Sequence, residues 1–169
     1  VTPGSPDGSP GQGLAAFGAT DLRACGGTFV SCRAVTCVHL VRHGRTASNR
    51  THRTMGWSDE GILPAWGAAA EAAAEALAGE RIARIVSSPL ARAVETAGPL
   101  AARLGVEPVL DARFGELRVG PWQGWTESEI AERWPDAWRI WRTTPHTLEL
   151  DGRETLAQLN ARVADALEG

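Results

Sequence analysis

The spacing of apolar and polar positions changes several times along this chain, and each change predicts a new element. Residues 36–41 (TCVHLV) are short, β-prone and apolar at nearly every position, as a strand buried on both faces should be. Residues 82–86 (IARIV) repeat that pattern and end at Ser-Ser-Pro. Residues 106–110 give a third strand, which Pro108 places at a sheet edge. Between the strands the period becomes helical. Residues 67–77 are Ala-rich, with Glu71 and Glu75, a strong helix-forming composition. Leu90, Val94, Ala97, Ala101 and Leu104 recur on one helical face, with Pro89 suited to the first turn. Shorter helices are predicted over 126–134 and 137–142. Leu156, Leu159, Val163 and Leu167 mark a last helix, with Gly169 at its C′ position. Strands alternating with helices predict an α/β three-layer sandwich, a mostly parallel sheet flanked by helices.

Composition changes this picture mainly at the N-terminus. Residues 1–35 are rich in Gly, Pro and Ser and cannot bury enough apolar surface to offset the entropy of ordering them. They are expected to be a disordered extension ahead of one domain over 36–169. Because the chain opens on Val1, the natural start is expected near Val35. Apolar residues make up 43% of the 169 and charged residues 22%, enough for one real core. A net charge of −3 argues against a nucleic-acid or anionic-membrane partner. No apolar run is long enough to span a bilayer, and no basic start precedes an apolar block, so a cytoplasmic location is expected. Cys25, Cys32 and Cys37 match no zinc spacing and read as reduced thiols.

Three segments carry candidate chemistry. Arg42-His43-Gly44 follows the first predicted strand, and in parallel sheets reactive groups sit beyond the carboxyl ends of strands. A neutral imidazole can attack phosphorus and split one displacement into two. Arginine offers planar paired donors for phosphate oxygens. Gly44 allows close backbone approach, while Thr46 and Asn49 add neutral donors at a helix start. Arg92 lies in the first turn of the helix after SSP, opposite the apolar stripe, facing solvent or the strand-end cleft. Glu116 sits on the glycine loop GELRVGPWQG and could protonate a leaving alkoxide if burial or a neighbouring anion favours its acid form.

VRHGRTASN, SSPLARAVETA, GELRVGPWQG and GRETLAQLNARV, in this order and spacing, resemble the histidine phosphatase superfamily, the phosphoglycerate mutase-like family. The likeness runs from about Thr36 to the last residue. It implies that His43 is the phosphorylated nucleophile, that Arg42 and Arg92 clamp the phosphoryl group, and that Glu116 donates the proton. Gly44, Thr46 and Asn49 would line the phosphate pocket. The resemblance implies no metal and no other cofactor, a small phosphorylated metabolite as substrate, and is compatible with a homodimer.

The sequence also departs from that family. A relative would continue into a strand ending in a second His-Gly, and none of His39, His52 and His146 matches it. The chain is therefore expected to be incomplete at its C-terminus, poorly stable and weakly active or inactive. No substrate contact is expected from residues 56–72, whose Ala-rich run is unusual for the family. Trp134, Trp138 and Trp141 share one helical face and are expected to pack the excursion onto the sheet, whereas Trp122 is expected near Glu116. The favoured activity is a phosphatase acting on a small phosphomonoester. A phosphoglycerate-type mutase and a non-catalytic phosphate-binding domain are the alternatives.

Overall fold

The computed structural model describes residues 37–168. The described residues from His39 onward form one compact unit. The predicted extension over 1–35 lies outside the described residues, as do Cys25, Cys32 and Gly169.

The α/β class read from the sequence holds. Two strands, β1 (Ile85–Ser87) and β2 (Pro108–Leu110), pair in parallel with Ile85 opposite Pro108 and Ser87 opposite Leu110. Parallel neighbours need a crossover, and α3 (Ala91–Leu104) supplies it. Before this unit come α1 (Ala47–Arg50) and α2 (Gly67–Ala76), and α2 packs along α3. After it come α4 (Glu127–Arg133), α5 (Pro135–Thr143) and α6 (Leu156–Glu168). Thr126 caps α4 in a reciprocal box with Glu129, which satisfies two backbone donors at the helix start.

Three expectations need correction. Among the described residues, 37–41 form no strand, and Leu40 is 89% exposed and Val41 42%. Pro89 precedes the N-cap of α3 instead of sitting in its first turn, because Leu90 still has extended backbone angles. The apolar stripe of α3 is not its buried face. Val94 is exposed, whereas Arg92, Thr96 and Leu100 are buried. Hydrogen bonding decides the orientation: Arg92 and Glu95 bond the 56–62 segment and Thr96 bonds Gly44, so that face must dock.

The buried apolar cluster lies away from the sheet, in the excursion after β2. Leu117, Val119, Trp122, Ile130 and Leu148 form it, and Trp125, Trp134, Trp138, Trp141, Leu156 and Leu159 pack around it. Trp122 meets Trp138 and Trp141 edge to face, each at 6.1 Å between ring centroids, and Trp125 meets Trp134 at 6.5 Å. Each such pair contributes about 0.5–1.5 kcal/mol beyond its area burial. The tryptophans are core, as expected, but they pack on one another rather than on the sheet. Gly120, ahead of Trp122, has φ +58°, and a Cβ there would lie 2.7 Å from the Gly152 backbone.

Gly120→Ala should therefore destabilise by at least about 2 kcal/mol, combining left-handed strain with overlap. Gly124→Ala, with φ +84° but nothing within 4 Å, should cost only about 1 kcal/mol. Urea denaturation of both variants checks the order, and equal losses would contradict the Gly120–Gly152 contact.

Candidate active site

His43 lies in an irregular segment leading into α1 and is half-buried. Its Nδ1 is 2.7 Å from the Gly44 carbonyl oxygen. A carbonyl can only accept, so Nδ1 is the donor, and in the neutral ring Nε2 holds the lone pair. That tautomer leaves the outer nitrogen available as a nucleophile. Gly44 is buried, and a Cβ there would press on Ile62 and Trp66 at 3.1 and 3.3 Å. Its N–H donates to Thr96 Oγ1 at 2.9 Å, and Thr96 Oγ1 donates to the Arg92 carbonyl at 2.7 Å. These two bonds join the 42–44 segment to the turn of α3 that carries Arg92. Arg42 is exposed.

Arg92 is 1% exposed. Its Nη1 donates to the Ser58 carbonyl at 3.0 Å and its Nη2 to the Gly56 carbonyl at 2.7 Å. Burial pulls its pKa below the ordinary arginine value, while the charges of Glu116, Glu60 and Asp59 oppose that shift. The expectation that this side chain faces solvent or a cleft is corrected. It is enclosed against the 56–59 turn, and its electrostatic neighbours include the carboxylate of the glycine loop.

Thr46 and Asn49 cap α1 as a reciprocal pair: Asn49 N–H donates to Thr46 Oγ1 at 3.2 Å, and Thr46 N–H donates to Asn49 Oδ1 at 3.2 Å. Thr46 is fully enclosed, and its hydroxyl donates to Met55 Sδ at 2.9 Å. Both side chains thus fix the turn after His43. Glu60 Oε1 accepts from Ser48 N–H at 3.0 Å. Desolvation acts to raise the Glu60 pKa, but hydrogen bonding, chiefly from Ser48, outweighs it and holds it below the ordinary value.

Glu116 is exposed, and its Oε1 accepts from the Leu117 N–H at 2.8 Å. The loop that carries it is held from two sides. Trp57 packs under Gly115 and its indole N–H donates to the Glu116 carbonyl. From α6, Arg162 donates to the carbonyls of Arg113, Gly115 and Glu116 and pairs with Glu154. Arg118 stacks on Trp57 with its guanidinium carbon 3.9 Å from the ring centroid. Trp122, expected here, is instead in the core. Trp57, Glu154 and Arg162 were missed. The Gly-Trp-Ser-Asp run and the Glu154…Arg162 pair inside GRETLAQLNARV were the available signals.

Residues 53–54 tie the first segment to the glycine loop. Thr54 N–H donates to the Trp125 carbonyl at 2.9 Å, and Gly124 N–H donates to the Thr54 carbonyl at 2.7 Å. Segments 42–60, 92–96 and 113–126 therefore converge through hydrogen bonds, with arginine and carboxylate near the imidazole segment. Such a set can position an anion and move a proton. Among the described residues, no three His, Cys, Asp or Glu side chains cluster so as to hold a metal ion, and no helix is long and apolar enough to cross a membrane.

The chain is similar to known proteins over most of its described length. A family model described as the histidine phosphatase superfamily (branch 1) matches residues 38–169. Phosphoserine phosphatase 1 of Hydrogenobacter thermophilus is 33% identical over 129 residues, covering 76% of this chain and 61% of that protein. Glucosyl-3-phosphoglycerate phosphatase of Mycolicibacterium vanbaalenii is 39% identical over 103 residues, covering 61% of this chain and 46% of that protein. The solved structure of a mycobacterial glucosyl-3-phosphoglycerate phosphatase with inorganic phosphate superposes with a TM-score of 0.67 at 33% identity. It is matched over 75% of this chain and 58% of its own. The chain thus spans roughly half to three-fifths of the length of these relatives.

Two outcomes are expected. Thr96→Val strips Gly44 of its acceptor and should cost about 1–3 kcal/mol in urea denaturation, the penalty of an unsatisfied buried donor. Glu60 and Glu154 both have pKa values held below the ordinary glutamate range, Glu154 chiefly by its hydrogen bond from Arg162. A depressed folded value gives stability that is present above the ordinary range and lost as pH falls through the depressed one. Thermal melts should drop on acidification through that window, and Glu154→Gln should flatten the drop. Melts that do not change across it would contradict both assignments.

Proposed function

The chain belongs to the histidine phosphatase superfamily, and from that premise we propose that it hydrolyses a small phosphomonoester through a phosphohistidine at His43. The observation that carries this reading is the Gly44–Thr96–Arg92 hydrogen-bond relay, which ties the imidazole segment to the buried arginine.

The chemistry follows from the groups present. The Nε2 lone pair of His43 attacks phosphorus, a P–N bond forms and the ester P–O bond breaks. The leaving alkoxide takes the Glu116 proton. A bound phosphoryl dianion is the neighbouring anion that favours the protonated carboxyl beforehand. Water then attacks phosphorus, Glu116 accepts the water's proton, the P–N bond breaks and phosphate leaves with the imidazole restored. Arg92 and Arg42 offset the charge on the phosphoryl oxygens throughout. Arg92, anchored on two carbonyls inside the fold, does so through its charge. Thr46 and Asn49 act by fixing the turn, and the Gly44 N–H by holding Thr96.

The relatives are named for phosphoserine and glucosyl-3-phosphoglycerate, and a phosphate ester of an alcohol is accordingly the proposed substrate class. A cytoplasmic location belongs to the same reading.

Rapid acid-free quenching after mixing with p-nitrophenyl phosphate, followed by peptide mass spectrometry, tests it. Acid-labile phosphate is expected on His43. His43→Ala should lack the label and turn over at least about 10³-fold more slowly. Phosphate found on another residue, or label persisting in His43→Ala, would overturn the proposal.

A further inference from the structure

We propose that Arg162, locked by Glu154, is a positioning residue that holds the Glu116 loop at the distance from the phosphoryl group needed for proton transfer. This rests on the proposed role of Glu116 as the acid.

The geometry is unusually complete. Nη1 of Arg162 donates to the Arg113 carbonyl at 2.6 Å and to the Gly115 carbonyl at 2.9 Å. Nη2 donates to the Glu116 carbonyl at 2.9 Å and to Glu154 Oε2 at 2.9 Å. Nε donates to Glu154 Oε1. A guanidinium has five N–H donors in a rigid fork, and every one is engaged. Three go to consecutive parts of one short loop and two to one carboxylate. The pair is shielded, with side chains 18% and 8% exposed. Glu154 is itself fixed to the same loop: its Oε2 accepts from the Arg118 N–H at 3.1 Å, and its own N–H donates to the Arg118 carbonyl at 2.8 Å. Together the two residues bond to the backbone of residues 113, 115, 116 and 118.

The arrangement points to positioning, because core packing of Leu117 and Val119 holds the loop only on the far side of Glu116. It has no helix or strand over 115–119, and Glu116 itself is exposed. On its other side the Trp57 indole N–H donates to the same Glu116 carbonyl. The carbonyl of the proposed acid residue is thus the point where the α6 clamp and the Trp57 side meet. Lysine has three donors on a point charge and cannot span this set, so it should not restore the function of the arginine.

Leaving-group dependence separates positioning from general support. Loss of acid assistance slows esters whose alkoxide needs a proton and spares those whose leaving group departs without one. Wild type, Arg162→Met, Arg162→Lys and Glu154→Gln are compared on an alkyl phosphate and on p-nitrophenyl phosphate, with folding checked by circular dichroism. For both arginine variants kcat/KM, which reports formation of the phosphohistidine, should fall on the alkyl ester by about 10²-fold or more, as for a lost general acid. On p-nitrophenyl phosphate kcat/KM should fall by less than about 5-fold, while kcat falls alike on both esters where the shared hydrolysis step limits turnover. Glu154→Gln should lie between. Equal losses of kcat/KM on both esters, or full rescue by lysine, overturn the proposal. If Arg162→Met does not fold, Arg162→Lys decides.

A second measurement is independent of catalysis. The Trp57 indole N–H resonance, assigned by Trp57→Phe, should shift and exchange faster with solvent in Arg162→Lys. An unchanged resonance overturns the clamp. Wild-type protein that hydrolyses neither ester overturns the phosphatase reading instead, and the clamp then stands or falls on the indole signal.

Discussion

A guanidinium with almost no access to water governs this structure. Burying an ion is expensive unless its donors are satisfied and opposite charge is near. Arg92 meets that condition by taking the Gly56 and Ser58 carbonyls and by lying in the field of Glu116, Glu60 and Asp59. The rest follows from that requirement. The 56–59 turn must keep its carbonyls pointed at α3. The polar face of α3 must dock, and Thr96, one turn on, is thereby placed to receive the Gly44 N–H. Removing Arg92 would release the turn and the helix orientation together, as well as any anion bound there.

That requirement explains why the amphipathic pattern of α3 misleads. Leu90, Val94, Ala97, Ala101 and Leu104 describe a face that hydrophobicity alone would bury, yet Val94 is exposed and Arg92 is not. Several satisfied polar contacts outweigh the burial of one valine, worth about 1.5–3 kcal/mol when complete. Sequence periodicity measures only the second quantity. It could not see that carbonyls 34 and 36 residues upstream would be waiting for the arginine.

Much else was legible for reasons that are local. The helices α2, α4, α5 and α6 fall close to their predicted spans because composition and capping residues act over a few positions. The four motif blocks were legible because reactive groups recur at fixed places around glycine turns. Trp57 and Arg162 were not, because their work is done through backbone carbonyls 46 to 59 residues away, and any residue type displays a carbonyl. The strand predicted over 36–41 failed for a related reason: a strand is a property of a pair, and its apolar composition names no partner.

Two kinds of order meet at the glycine loop, and their division of labour bears on catalysis. Downstream, the tryptophan cluster gives stability without demanding exact geometry, since interlocking aromatic faces tolerate small shifts. Upstream, the 113–118 segment does not rest on packing alone, because Leu117 is in the core while Glu116 is exposed. Fixing an exposed carboxyl within a fraction of an ångström calls for directional bonds to its backbone. Arg162 and Trp57 provide them at the Glu116 carbonyl. Under the role proposed for Glu116, holding the carbonyl and leaving the carboxyl unencumbered apart from the Leu117 N–H would give precision at the acid without consuming the group that exchanges its proton.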